Sequence, residues 1–184
     1  MLFHLPEKKQ NKEVAGGSVE LKGSHQLPHS KKLEDVLSLV KKGRCVHWVT
    51  EGAWNMHDML LALLNYTGPA SVFISSYAFT EFPARLIADL INEKVITDLK
   101  CIIDKRIDVR SASALNIIRN MASKFALINT HAKVTIIENE KYLIAVVGSA
   151  NYTQNKRFEC GVIITDREAA LFHKNWMQNA LDKN

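Results

Sequence analysis

The 184-residue sequence predicts an α/β fold: one domain built on a mixed, mostly buried β-sheet with helices on both faces. Short, wholly apolar runs alternate with longer stretches whose apolar positions recur at helical spacing. Two further apolar runs, 131–138 and 141–148, flank the polar turn "ENEK" and read as an antiparallel hairpin. At this length one core suffices without disulfides or metals.

The elements follow in order. Residues 1–29, with "EKKQNKE" and "GGS", show no sustained period and read as a polar arm, with a short hairpin around "SVELKG". The remainder, 30–184, reads as one ordered domain. "SKKLEDVLSLVKKG" predicts a helix capped by Ser30 and stopped by Gly43. "RCVHWVT" predicts a strand, and "AWNMHDMLLALLNYTG" a helix ending at Gly68. "SVFISSYA" is a β-rich run, and "PARLIADLINEK" places Pro83 in a first helical turn, where its missing N–H costs nothing. "LKCIID" predicts a strand, "SASALNIIRNMASKF" a helix and "ALINT" a short strand. After the hairpin come the strand "ECGVIIT" and a last helix, "DREAALFHKNWMQNAL", capped by Asp166.

Composition bounds the function. The charge is +5 and the pI about 9.1, which suits a polyanionic partner without identifying one. No apolar run approaches the roughly 18 residues of a membrane span, and the start lacks the order of a secretory signal. Cys45, Cys101 and Cys160 are odd in number and sit in apolar runs, so buried free thiols and a cytoplasmic location are expected. His4, His25, His29, His47, His57 and His173 fall at no metal-ligand spacing. Trp48, Trp54 and Trp176 read as packing anchors.

The hairpin carries the chemistry. Side chains two apart on a strand share a face, so His131 projects with Lys133, and Ser149 with Asn151. Pairing of the two runs brings all four to one patch at the sheet edge, with Gly148 leaving room for a ligand near the backbone. An ammonium, a hydroxyl and an amide suit the non-bridging oxygens of a phosphate. An imidazole can attack phosphorus or shuttle a proton at neutral pH. Such a histidine needs an acceptor on its other nitrogen, and Glu159 is the candidate.

"HAK", Glu138 and "GSAN" together resemble the signature of the phospholipase D superfamily, His-x-Lys, an acidic residue and Gly-Ser-x-Asn. "SSYAFT", "CIIDKR" and "RFECGVIIT" resemble segments of that family's small bacterial endonucleases, so the similarity runs from about Arg44 to Leu181. Two features depart from the pattern. The family's aspartate is Glu138 here, and nine residues separate it from Gly148. In the family this acid supports structure away from the phosphorus, so Glu138 is expected to be structural.

The resemblance implies a metal- and cofactor-independent phosphodiesterase. One histidine becomes a phosphohistidine while a second protonates the leaving oxygen, and water then completes the reaction. Family enzymes use two copies of the signature and this chain has one. A homodimer is therefore implied, each protomer giving His131, Lys133, Ser149, Asn151 and Glu159. Single-copy members are mostly nucleases, so the leading expectation is an endonuclease on DNA or RNA. The alternatives are a hydrolase of lipid or small phosphodiesters, and a nucleic-acid-binding module without turnover. Lys105, Arg106 and Arg110, with Lys156 and Arg157, lie at strand ends where they could line a groove for a phosphate backbone. Tyr77 and Phe79 are expected in that groove or in the core.

Overall fold

The computed structural model describes residues 24–25, 32–107 and 111–184. The domain is α/β, as the alternation of elements predicts. Its strands are β1 (Ser24–His25), β2 (Cys45–Glu51), β3 (Ala70–Ser76), β4 (Ile96–Asp104), β5 (Lys124–Ile128), β6 (Val134–Glu138), β7 (Leu143–Gly148) and β8 (Phe158–Ile164). Its helices are α1 (Leu33–Ser38), α2 (Met56–Thr67), α3 (Glu81–Asn92), α4 (Ala112–Met121) and α5 (Arg167–Asp182). One mixed sheet joins the strands in the order β1-β2-β8-β7-β6-β3-β4-β5. The β3–β4–β5 side is parallel, and the run from β2 through β8, β7 and β6 to β3 is antiparallel.

Local sequence explains the boundaries. Asn55 and Asp58 close a capping box on α2, and Gly68 ends that helix at φ +76. Asp166 accepts from the Ala169 N–H at 3.0 Å and caps α5. Several boundaries differ from the sequence reading. Helix α1 stops at Ser38, since Leu39 and Val40 close a turn onto the Val36 and Leu37 carbonyls. Lys124 and Phe125 belong to β5, because parallel pairing with Lys100 and Cys101 outweighs their helical spacing. The hairpin strands begin later than expected, at Val134 and Leu143. The polar arm, Ser30 and Arg110 lie outside the described residues, save that Ser24–His25 pairs in parallel with β2.

Two apolar layers flank the sheet. On one face, α1, α2, α3 and α4 pack over Val46, Trp48, Ile74, Ile103, Ile137 and Val146. On the other, α5 packs over Ile102, Ile136, Leu143, Ala145 and Ile164. The Glu138–Lys174 ion pair, at 2.5 Å, ties the far end of β6 to α5. Cys45 and Cys101 are buried free thiols, but Cys160 is exposed, because α5 does not extend over its part of β8. Phe158, two residues earlier on that face, is 67% exposed. No helix among the described residues is long and apolar enough to cross a membrane.

Gly148 and Gly161 pair directly across β7 and β8. The Trp48 ring fills the notch they leave, and it packs in turn on Trp54 at 5.0 Å between centroids. A Cβ on Gly161 would sit 2.4 Å from the Val147 carbonyl oxygen and 2.6 Å from the Trp48 ring. Gly161→Ala is therefore expected to destabilise the fold by about 2 kcal/mol or more. Adding Trp48→Phe should recover only part of the loss, since the backbone clash persists. Chemical denaturation midpoints test this, and an unchanged midpoint for Gly161→Ala would contradict the packing described.

Candidate active site

The C-terminal ends of β3, β4 and β7 and the N-terminal ends of β6 and β8 meet on one rim. The hairpin occupies the middle of the sheet, so the polar patch lies on this rim of interior strands and not on an edge strand. The register sets its members. Val134 pairs with Val147, and the Gly148 N–H reaches the Lys133 carbonyl at 3.2 Å, which brings His131 and Lys133 beside Ser149. Ala132 and Val134 pack into the α5 layer, so the alternation predicted for this stretch is realised.

Lys133 Nζ donates to the His131 carbonyl at 2.7 Å and lies 3.1 Å from His131 Nδ1. Burial pushes the Lys133 ammonium below its ordinary pKa, against the opposing pull of Glu159 and Asp104. Asn151 Oδ1 accepts from the Ala78 N–H at 3.1 Å and lies 3.3 Å from Ser76 Oγ. Because a backbone N–H faces the carbonyl oxygen, the amide orientation is fixed and Nδ2 remains as a donor. Ser149 Oγ donates to Glu159 Oε2 and accepts from the Cys160 N–H at 3.1 Å. Asn155 Nδ2 reaches the other Glu159 oxygen at 3.4 Å.

Glu159 is thus engaged by Ser149 and Asn155, and the expected bond from Glu159 to His131 is not formed. His131 Nδ1 faces a lysine cation instead. With Lys133 protonated, Nδ1 accepts and the ring proton resides on Nε2.

Tyr77 stands against His131, with ring centroids 4.6 Å apart, and the Arg106 guanidinium lies 4.7 Å from the same tyrosine ring. Phe79 does not line this wall. It is 2% exposed and stacks on Tyr152 at 4.8 Å, because the chain turns inward after Tyr77. Tyr152 is buried as well and shares a 2.8 Å hydrogen bond with Thr135. The stacked pair belongs to the core on the helical side of the sheet, and Tyr152 follows Asn151 directly in the chain. Gly148 does not leave space for a ligand, because Trp48 occupies that space.

Lys105 and Arg106 stand at the β4 side of the rim and Lys156 and Arg157 at the β8 side, all exposed. The second loop is held by the Asn155 N–H on Asn55 Oδ1 at 3.1 Å and by the tight packing of Gly52 on the Lys156 backbone. Glu138 lies at the far end of β6, consistent with a structural carboxylate. A polar hollow beside it, lined by Thr67, Ser71, Thr97 and Lys141, is remote from the rim, where His131 is exposed.

Sequence reading missed Asp104, Ser76 and Asn155. Asp104 offered one signal, a carboxylate closing the apolar run "CIID". It is 0% exposed and accepts four bonds. Arg106 donates to Oδ1 through Nε at 2.6 Å and its backbone N–H at 3.1 Å. Arg106 Nη2 and the Thr130 N–H reach Oδ2, each at 3.1 Å. The Arg106 guanidinium, aided by both backbone N–H groups, holds the Asp104 carboxyl well below the ordinary carboxylate range despite its burial.

Comparison with solved structures finds NucT from Helicobacter pylori at 23% identity and TM-score 0.58, over 76% of this chain and 97% of that one. Polyphosphate kinase from Porphyromonas gingivalis matches at 10% identity and TM-score 0.56, over 83% of this chain and 27% of that one. No family model matches the chain, and no curated protein does. At these identities the likeness establishes the fold.

A depressed carboxyl stabilises the folded state fully above the ordinary Asp pKa of about 4, and that contribution is lost as the pH falls below it. Asp104→Asn is expected to cost about 2 kcal/mol at pH 7 and to flatten the acid limb of the stability profile. Denaturant midpoints measured from pH 7 downward test this. An acid limb as steep as the parent's would place the titrating group elsewhere.

Proposed function

We propose that the chain is a phosphodiesterase, an endonuclease on DNA or RNA that works through a phosphohistidine in a site shared by two protomers. The observation that carries this reading is the convergence of His131, Lys133 and the oriented Asn151 amide on one open rim. An imidazole beside two donors for non-bridging oxygens is the minimum for nucleophilic attack on a phosphodiester. The match to NucT over 97% of that chain supports the reading at the level of the fold. The open rim suits a polymer better than an enclosed small molecule, and the exposed cations on either side suit a phosphate backbone.

In this reading the bound phosphate draws Lys133 Nζ off the imidazole onto a non-bridging oxygen. With Nδ1 freed, the ring proton moves from Nε2 to Nδ1 through solvent, and Nε2 then attacks phosphorus, forming the N–P bond as the P–O bond to the leaving nucleoside breaks. The leaving oxygen takes its proton from the second protomer's histidine. Water attacks the phosphohistidine, that same histidine accepts its proton, and a phosphomonoester is released with His131 restored. Glu159, through Ser149, steadies the start of β8 and adds negative charge near the imidazolium that forms.

One chain supplies one His-x-Lys pair, so the cycle requires a second copy. The strip of β2 and β8 beyond α5, with Val49, Cys160 and the 67% exposed Phe158, adjoins Glu159. It offers the apolar surface that such a contact buries.

Wild type is expected to cleave fluorescent single- or double-stranded DNA or RNA in EDTA and to scatter light as a dimer. His131→Ala should lose at least about 1000-fold in turnover while keeping the dimer mass. Cleavage that survives in His131→Ala would refute the nucleophile. A dimer that cuts lipid or small diesters but no nucleic acid would refute the substrate. Salt-sensitive binding without turnover, unaffected by His131→Ala, would make the chain a binding module.

A further inference from the structure

We infer that Asp104, Arg106 and Tyr77 form a second anion subsite beside His131, which holds the phosphate next to the scissile one, with Asp104 as its positioning carboxylate. The inference rests on the phosphodiesterase reading and deepens it, because only a polymeric substrate has a neighbouring phosphate to place there.

The arrangement is built for the purpose. Arg106 is 55% exposed, and an arginine at the surface needs no buried partner for stability. Burying a carboxylate to hold it is a poor route to stability, since desolvation offsets much of the attraction. What the pair secures is geometry. Nε and one Nη2 hydrogen are committed to Asp104, which stops the side chain from sampling its other rotamers. Three N–H donors, two on Nη1 and one on Nη2, remain for an anion. Fixing them before substrate arrives removes an ordering cost from binding.

The same carboxylate also sets the distance to the nucleophile. Its second oxygen takes the Thr130 N–H, one residue before His131. Tyr77 fills the interval, with the guanidinium against its ring at 4.7 Å and the imidazole at 4.6 Å. Lys133 Nζ lies 5.3 Å from that ring centre too. Guanidinium, imidazole and ammonium are thus spaced around one aromatic side chain. Charge explains why an aspartate is required. An uncompensated Arg106 would oppose the cation that forms on His131, whereas the ion pair keeps directional donors and offsets the charge.

The experiment compares wild type, Arg106→Ala, Arg106→Lys and Asp104→Asn as full chains, on a fluorescent single-stranded oligonucleotide and on bis(p-nitrophenyl) phosphate, which has one phosphate. For Arg106→Ala, kcat/KM on the oligonucleotide should fall at least five-fold further than on the small diester, chiefly through KM. Oligonucleotide binding should lose about 0.7 from its slope of log K against log salt, the value for one phosphate contact on a single strand. Arg106→Lys should recover less than half of the difference, because an ammonium cannot reproduce the fork on Asp104. Asp104→Asn should show the same split, and the surface variant Arg106→Ala decides the matter if Asp104→Asn does not fold. Equal losses on both substrates, or an unchanged salt slope, would overturn the subsite. If wild type turns over neither substrate but Arg106→Ala still loses slope, the subsite stands and the phosphohistidine reading falls. Failure to bind the oligonucleotide at all would overturn both.

Discussion

The rim depends on the register in which β6, β7 and β8 pair. With Val134 opposite Val147 and Gly148 opposite Gly161, Lys133, Ser149 and Glu159 come to one level of the sheet. Strand side chains alternate with a period of two, so a slip of one residue would send Lys133 into the α5 layer and Val134 out of it. Trp48 locks the register from the helical side. Its indole needs the space left by two adjacent glycines, and only one alignment of β7 and β8 places those glycines side by side. The demand for a flat, side-chain-free patch in the core thus becomes a constraint on the polar patch at its end.

Polar bonding divides the rim into two units with Asn151 between them. On the β4 side a buried carboxylate organises Arg106 and the backbone before His131. On the β8 side Glu159 organises Ser149 and Asn155. The units are joined electrostatically at Lys133, whose burial works against its charge while both carboxylates favour it. In the proposed reading, an ammonium kept short of solvation exchanges its contacts with His131 for a phosphate oxygen.

What was legible in the sequence was local. Alternation along "HAKV" and "GSAN" is a property of neighbouring residues, and the structure brings His131, Lys133 and Asn151 to one rim. The helix cap at Asp166 and the stop at Gly68 are local too. The unread features depend on contacts distant in sequence. Ser76 and Ala78 reach Asn151 across more than 70 residues, and Thr130 reaches Asp104 across 26. Nothing in either segment names its partner, because the β3–β6 and β4–β5 pairings are set by how the sheet assembles. Phe79 shows the same limit, since its burial follows from the turn after Tyr77 and its stacking on Tyr152. Glu159 was found at the rim, but its engagement with Ser149 depends on the way β7 ends, which spacing does not reveal.

The layering of the sheet bears on where a second copy would sit in the proposed reading. Among the described residues four helices cover one face and a single helix covers part of the other, so apolar side chains are left exposed beside the polar rim. Placed at the far rim, near Glu138, such a strip could associate with another copy without affecting the chemistry. Here Phe158 precedes Glu159 directly, and the Cys160 N–H donates to Ser149 Oγ. Phe158 and Cys160 point to the α5 face and Glu159 to the other, so a copy seated on this strip is brought to the end of β8 that carries Glu159 and Ser149. In the proposed reading, therefore, covering the exposed sheet and completing the site are a single event. In that reading a monomer is limited by both its exposed surface and its single His-x-Lys pair.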